Sequence, residues 1–294
     1  MAKFKKGLIL LSVMGATVAL TACNDNKDTT KDNNTTHATE SKSTKSDNST
    51  SKEKSESVSE NELSEKTKLA LAFFADDVDQ YILTKDEALT GVFENKTGGE
   101  TKNKQLYKLL LIKEQGVANA PKDMNFYTVH PPKGSFASII GVSKDKIFVG
   151  GTQGALDYKE MSDTGNEYSI KDLYNKNKGY TSLSELAKKI EITDKNPMLD
   201  DKTREEFEAN ENPNTNTHLR TQVYQMIEEL DGEPIDTDKY LVDNVQMTKG
   251  GKWYVNYRNK NAEIVGTYTT KDGKVIKKDS DGNILKSKVV EQRN

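Results

Sequence analysis

Cysteine is nearly absent from this chain, since Cys23 is the only one among 294 residues. One cysteine can form neither an internal disulfide nor a thiolate metal cluster, so the folded part must be stabilised by its core alone. Histidine is also scarce, with three residues, and no His-Glu-x-x-His zinc motif occurs. The formal net charge is −3, which provides no electrostatic basis for binding nucleic acid. We therefore expect no metal, no cofactor and no nucleic-acid partner.

A long hydrophobic run is missing as well. The longest apolar stretch, residues 7–22, is shorter than the about 20 residues that a membrane-spanning helix needs. Lys3, Lys5 and Lys6 precede this stretch, and polar sequence follows from Asn24. A charged segment followed by a short apolar segment with small residues at its end is typical of an export signal.

This signal ends in the tetrapeptide Leu20-Thr21-Ala22-Cys23. It resembles the lipobox of bacterial lipoproteins. The resemblance implies that signal peptidase II recognises Leu20, Thr21 and Ala22, and that Cys23 becomes the first residue, carrying S-diacylglycerol and N-palmitoyl groups. It implies a lipid anchor in the extracytoplasmic face of the cell membrane, and the richness in Lys and Asn is compatible with a Gram-positive host. The alternatives are a secreted protein with a chance cysteine and an uncleaved membrane helix.

Residues 23–58 consist almost entirely of Asn, Asp, Lys, Ser, Thr and Glu, with Ala38 as the one apolar residue between Cys23 and Val58. Such a segment cannot bury enough surface to offset the entropy lost on ordering, so it is predicted to be a disordered tether. A flexible coil of this length spans roughly 35 Å between its ends. The tether would hold a folded body close to the membrane.

The rest of the chain predicts an α+β fold with two small domains, in each of which a helix packs on a mainly antiparallel sheet. The first domain is expected over residues 59–192. Apolar residues from Leu63 to Ile82 recur at spacings of three and four, and Ser59 with Glu62 has capping-box spacing, so one long helix should open this domain. The predicted strands are residues 90–93, 106–113, 125–130, 136–142 and 146–149, and a closing helix is predicted over residues 182–190.

Residues 193–216 are polar and contain two prolines, and we interpret them as a linker with at most a short helical turn near residues 204–209. The second domain, residues 217–294, should begin with an amphipathic helix that ends at Asp231-Gly232. Short strands separated by glycine turns follow, as in an antiparallel meander.

One face of this second domain has a predictable core. Trp253, Val255 and Tyr257 alternate along a strand, and we expect their side chains to pack against Val223 and Ile227 of the helix. Arg258, which follows directly, is assigned to a polar turn.

Histidines offer little for catalysis. His130 and His218 lie in different predicted domains, a poor arrangement for a catalytic pair, and no Gly-x-Ser-x-Gly motif surrounds any serine. We predict no catalytic residue, and retain His130 only as a weak candidate for a ligand site.

Three glycines form a second weak candidate. Gly150, Gly151 and Gly154 follow a predicted strand and are the best place in the first domain for unusual backbone. Such backbone can present N–H groups to an anion, although the spacing of a phosphate-binding loop is missing.

These observations favour a lipid-anchored, non-enzymatic protein that binds an unidentified protein or other partner of the cell envelope. An exported enzyme acting on envelope polymers or peptides is the alternative, with His130 and acidic neighbours as its starting point. A solute-binding component of a transporter is a further alternative, but such proteins close two parallel α/β lobes, whereas the strand pattern here is antiparallel.

Overall fold

A computed structural model of the chain describes residues 63–215 and 217–290. The predicted signal, the lipobox ending at Cys23, the tether and the Ser59–Glu62 capping pair lie outside the described residues. The α+β class is confirmed, because helices accompany two sheet-based bodies. Within the described residues, no helix combines the length and the apolar character needed to cross a bilayer.

Helices and strands follow one another in mixed order along the chain. The helices are α1 (Glu65–Ala72), α2 (Lys85–Thr90), α3 (Tyr158–Ser162), α4 (Ile170–Asn177), α5 (Thr181–Lys189), α6 (Asp201–Glu211) and α7 (Thr217–Asp231). The strands are β1 (Val92–Thr97), β2 (Glu100–Gln105), β3 (Leu109–Glu114), β4 (Asn125–His130), β5 (Ala137–Val142), β6 (Lys146–Thr152), β7 (Asn166–Ser169), β8 (Ile190–Thr193), β9 (Leu241–Val242), β10 (Gln246–Met247), β11 (Trp253–Arg258), β12 (Ile264–Lys271), β13 (Lys274–Asp279) and β14 (Ile284–Val289).

The N-terminal sheet has six strands in the order β7-β6-β5-β4-β3-β8. Its pairs are antiparallel except β3 with β8, which run parallel. Both faces of this sheet are covered, which is why its central strands contain continuous apolar runs such as Leu109-Leu110-Leu111-Ile112. Separate from it, β1 and β2 form a hairpin through Gly98-Gly99, whose positive φ angles of 64° and 80° suit a two-residue turn.

Two apolar clusters cover the two faces of the N-terminal sheet. On one face, helices α1, α4 and α5 contribute Leu69, Leu173 and Leu186 to the main core. On the other face, Phe126, Ile139 and Phe148 pack with Met124 and Met161. The sheet is therefore the middle layer of three.

The C-terminal sheet is an antiparallel meander in the order β10-β11-β12-β13-β14, with β9 also paired to β11. Helix α7 packs on one of its faces. The predicted core is confirmed, because Trp253, Val255 and Tyr257 are buried in one cluster with Val223 and Ile227 of that helix.

The single long helix predicted from Leu63 to Ile82 is wrong. Helix α1 ends at Ala72, and a turn follows in which Asp77 adopts a left-handed φ of 59°. The apolar spacing persists beyond the helix because turn residues such as Val78 and Ile82 are also buried in the core. Tertiary packing thus produces the same pattern that a longer helix would produce.

The predicted linker contains a complete helix. Helix α6 spans eleven residues, and its N-cap Asp200 accepts a hydrogen bond from the backbone of Thr203 at 2.8 Å. Phe207 anchors the helix, with 4% of its surface exposed. The segment is thus more ordered than a short turn, while the division of the chain into two domains stays a prediction.

Candidate functional site

A cavity of about 220 Å³ lies between the N-terminal and the C-terminal sheet. We call it the inter-sheet cavity. Its walls come from the end of α2, the start of β3, α5, β8 and the strands β10 and β11. The charged residues that line it are Lys108, Glu185, Lys189, Glu191, Asp243 and Arg258. Three cations and three anions thus share a small space, and their pairing determines what the cavity can do.

Arg258 is the most deeply buried of these residues, with 1% of its surface exposed. Its guanidinium donates through Nη1 and Nη2 to the two carboxylate oxygens of Glu185, both at 2.8 Å. It donates through Nε and Nη2 to Asp243, at 2.6 and 2.8 Å, and through Nη1 to the backbone oxygen of Ala262 at 2.9 Å. All five N–H groups of the guanidinium therefore have an acceptor.

The arrangement is a clamp, because Glu185 belongs to α5 whereas Asp243 and Arg258 belong to the C-terminal body. Burial alone would lower the pKa of Arg258, but the hydrogen bonds from Glu185 and Asp243 outweigh it and raise the pKa. Losing one member of such a buried set typically costs about 3–5 kcal/mol, since the remaining charge has no partner. The assignment of Arg258 to a polar turn was therefore wrong.

Lys189 is the second cation of the cavity. Its Nζ donates to the backbone oxygens of Leu89 at 2.6 Å and Ala88 at 3.3 Å, close to the end of α2. Desolvation of the ammonium group lowers the pKa of Lys189. A lysine with a lowered pKa has the chemistry of a nucleophile or a base, but here its N–H groups are already directed at the carbonyls of a helix end.

Arg258 engages two of the three carboxylates that line the cavity, and Glu191 is the third. Arg258, Glu185 and Asp243 thus form one hydrogen-bonded set. The sequence analysis missed this set because its three members are far apart in the chain. The alternation in β11, which places Arg258 on the face opposite Trp253, was the only signal that could have found it.

His130 lies at the end of β4, with 16% of its side chain exposed. Its Nε2 is 3.2 Å from Oε1 of Glu211, and its ring meets the edge of Phe207 at a centroid distance of 5.1 Å. Glu211 is 6% exposed and lies 3.7 Å from the Nζ of Lys104. The acidic neighbour expected for His130 is present, but it comes from α6, inside the segment predicted to be a linker. His218, the other histidine of the described residues, is exposed on α7 and contacts Gln222.

Gly150 and Gly151 lie inside β6 and Gly154 in the loop after it. The expectation of unusual backbone is wrong here, because the left-handed φ angles of the described glycines occur at other positions. Space explains the first two glycines: a Cβ on Gly150 would come within 2.5 Å of the Phe148 ring, and one on Gly151 within 2.6 Å of the Phe136 ring. The N–H of Gly154 donates to the hydroxyl of Thr152.

The last strand of the C-terminal sheet is unusually exposed. Every residue of β14 is exposed, and its apolar members Ile284, Leu285 and Val289 expose 57%, 55% and 64% of their surface. In the part of the chain that the structure describes, β14 pairs with β13 and ends the strand order. The sequence predicts a strand near Ile284, but not that it forms the edge of the sheet.

Across residues 63–215 and 217–290, no group of three or more His, Cys, Asp or Glu side chains is arranged to hold a metal ion. Several described titratable groups instead form buried or partly buried pairs, among them the Arg258 clamp, the His130–Glu211 contact and the Lys133–Glu87 pair. Comparisons of the chain with protein-family models, with curated proteins and with solved structures found no match.

Proposed function

We propose that this chain is a lipid-anchored protein of the extracytoplasmic membrane face, and that it binds an envelope partner without catalysing a reaction. The observation that carries the proposal is the tetrapeptide Leu20-Thr21-Ala22-Cys23 at the end of a short apolar run. Two acyl chains on one cysteine suffice for stable anchoring, because each buried methylene contributes about 0.8 kcal/mol. Retention at the membrane would then be independent of the folded body.

Three features of the body support binding over catalysis. In the inter-sheet cavity the carboxylates of Glu185 and Asp243 are held by Arg258, and the ammonium group of Lys189 is directed at backbone carbonyls. The imidazole of His130 is held by Glu211. Each of these groups is engaged in a structural contact. The exposed strand β14, in contrast, offers backbone and apolar surface to a partner.

The anchoring half of the proposal is tested by Cys23→Ala, with Asn24→Ala as the matched control one residue away. We expect Cys23→Ala protein to accumulate unprocessed or to appear in the culture fluid, while Asn24→Ala protein stays with the membrane fraction. Mass spectrometry of the mature N-terminus measures the lipid directly. A Cys23→Ala protein that is cleaved and retained as before would refute the proposal.

An exported enzyme remains the second candidate, and one observation favours it. A carboxylate that holds an imidazole, as Glu211 holds His130, is part of the arrangement that orients a catalytic base. If His130→Gln abolishes turnover of a peptidoglycan or peptide substrate by the full chain while its unfolding temperature is unchanged, this candidate replaces the binding role. Equal behaviour of wild type and His130→Gln toward these substrates would remove it.

A further inference from the structure

The free edge of β14 takes part neither in the proposed lipid anchor nor in the Arg258 clamp. Antiparallel pairing with β13 occupies one side of this strand, and in the described residues no strand pairs with the other side. Alternate N–H and C=O groups along such an edge are available to an extended chain. Strand addition at an exposed sheet edge is a recurring mode of peptide recognition.

Edge strands are often protected by lysines, and β14 contains Lys286 and Lys288. Here both lysines are drawn toward α7: Lys286 Nζ is 3.2 Å from Asp231, and Lys288 Nζ is 3.4 Å from Glu229. The apolar side chains Ile284 and Val289 remain exposed beside them. Both lysines thus lie on the α7 side of the strand and do not cover its apolar side chains.

The register defines two faces for an added strand. Lys286 and Lys288 lie opposite Lys277 and Val275, on the face that carries α7, whereas Val289 lies opposite Lys274 on the other face. On the α7 face, three lysines form ion pairs with only two carboxylates, Glu229 and Asp231 of α7. The lysines are at positions 277, 286 and 288. One face therefore has surplus positive charge, and the other has exposed apolar surface.

A second copy of the chain fits this edge poorly. Twofold pairing of two β14 strands about Ser287 would place Lys286 of one copy opposite Lys288 of the other, and like charges in opposite positions destabilise a sheet. Residues 274–289 contain five lysines and two aspartates, although the whole chain has a net charge of −3. Charge complementarity therefore favours an acidic partner.

We infer that β14 binds an extended acidic peptide segment by strand addition. The segment has Asp or Glu on alternate residues, directed at Lys286 and Lys288, and branched apolar side chains between them, directed at Ile284 and Val289. This inference rests on the proposed binding function and specifies the partner by its chemistry.

The probe is a fluorescein-labelled, end-blocked peptide, Thr-Glu-Val-Glu-Val-Glu-Thr, added to the full-length chain in detergent. Fluorescence anisotropy measures its affinity, and the same peptide with Lys in place of Glu is the matched control. We expect binding of the acidic peptide to weaken at least tenfold in Lys288→Glu and in Val289→Asp. Lys122→Glu, an equal charge reversal at an exposed site of the N-terminal body, should leave the affinity unchanged.

Hydrogen exchange distinguishes strand addition from simple charge attraction. Amides of β14 should exchange more slowly when the acidic peptide is bound, while amides of β7, the edge of the other sheet, should not change. Equal binding of the two peptides, loss of binding in Lys122→Glu, or concentration-dependent pairing of the chain through β14 would each overturn the inference. Cell fractionation of Cys23→Ala is independent of these measurements, so the anchor and the edge can fail separately.

Discussion

The two sheets of this protein are covered to different extents. The N-terminal sheet has apolar layers on both faces, with Leu111 directed to one core and Ile139 to the other. The C-terminal sheet has α7 on one face, while the opposite face carries partly exposed side chains such as Tyr254, Thr267 and Thr269. A sheet that is buried on both faces leaves little surface for a partner, whereas a sheet whose second face is partly exposed retains surface and an exposed edge for binding.

The largest expected effect concerns the clamp between the two sheets. Replacing Arg258 by Met leaves the buried carboxylate of Asp243 and the partly exposed carboxylate of Glu185 without their partner, which should lower the free energy of unfolding by about 3–5 kcal/mol. Urea denaturation measures this loss. Arg204→Met removes an exposed i,i+3 ion pair with Asp201, and should cost at most about 0.5 kcal/mol. Equally small losses in the two variants would show that the clamp does not contribute to the free energy of unfolding.

A smaller effect is expected from two truncations that compare the covered N-terminal sheet with the exposed strand β14. Ile139→Ala removes a fully buried side chain from the second face of the N-terminal sheet, and should cost about 2–4 kcal/mol because a cavity remains. Ile284→Ala makes the same truncation at a position that is 57% exposed, and should change stability by no more than about 0.5 kcal/mol. Similar losses in the two variants would mean that β14 is covered in solution.

The smallest effect depends on pH and concerns α7 on the C-terminal sheet. The Oδ2 of Asp231 accepts from the Tyr268 hydroxyl at 2.6 Å and from the Lys277 Nζ at 2.7 Å. Burial alone would raise the pKa of this carboxyl, but its hydrogen bonds outweigh that effect and hold the pKa below the ordinary value of 3.8. A depressed carboxyl pKa stabilises the fold above the unfolded-state pKa, and the contribution is lost as pH falls through the folded-state pKa.

Asp231→Asn should therefore cost about 1–2 kcal/mol near pH 6, because two charge-assisted hydrogen bonds are weakened. The difference from wild type should shrink as pH falls below 3.8, where the unfolded carboxyl is protonated. Denaturation at a series of pH values measures both quantities. Asp163→Asn, at an exposed position, serves as control, and a difference for Asp231→Asn that grows toward low pH would contradict the assignment.

Local sequence patterns predicted the elements in which the spacing of buried residues matches the helix or strand repeat. Helix α7 and the alternation of Trp253, Val255 and Tyr257 were found because their apolar spacing matches their secondary structure. The pattern misled where turn residues such as Val78 are buried by tertiary contacts. It also missed most of α6, whose polar sequence contains one apolar anchor, Phe207.

The candidate site was less accessible to sequence reasoning. One of its contacts joins Glu185 to Arg258, residues separated by 73 positions, and no spacing rule connects them. His130 was identified as a candidate, but its partner Glu211 was hidden in a stretch interpreted as a linker. The exposure of β14 was also not predictable, because a strand at an edge and a strand in the middle of a meander can have the same local sequence.

The sequence by itself determined the α+β class, the helix that covers the C-terminal sheet and the prediction of a lipid anchor at Cys23, since each depends on residues close together in the chain. The tertiary structure alone decided which charges pair across the two sheets and which strand has a free edge. These outcomes depend on contacts between distant segments. The free energy of burying a charge depends on which partner charge the fold places beside it, and an edge strand stays open only where no other segment covers it.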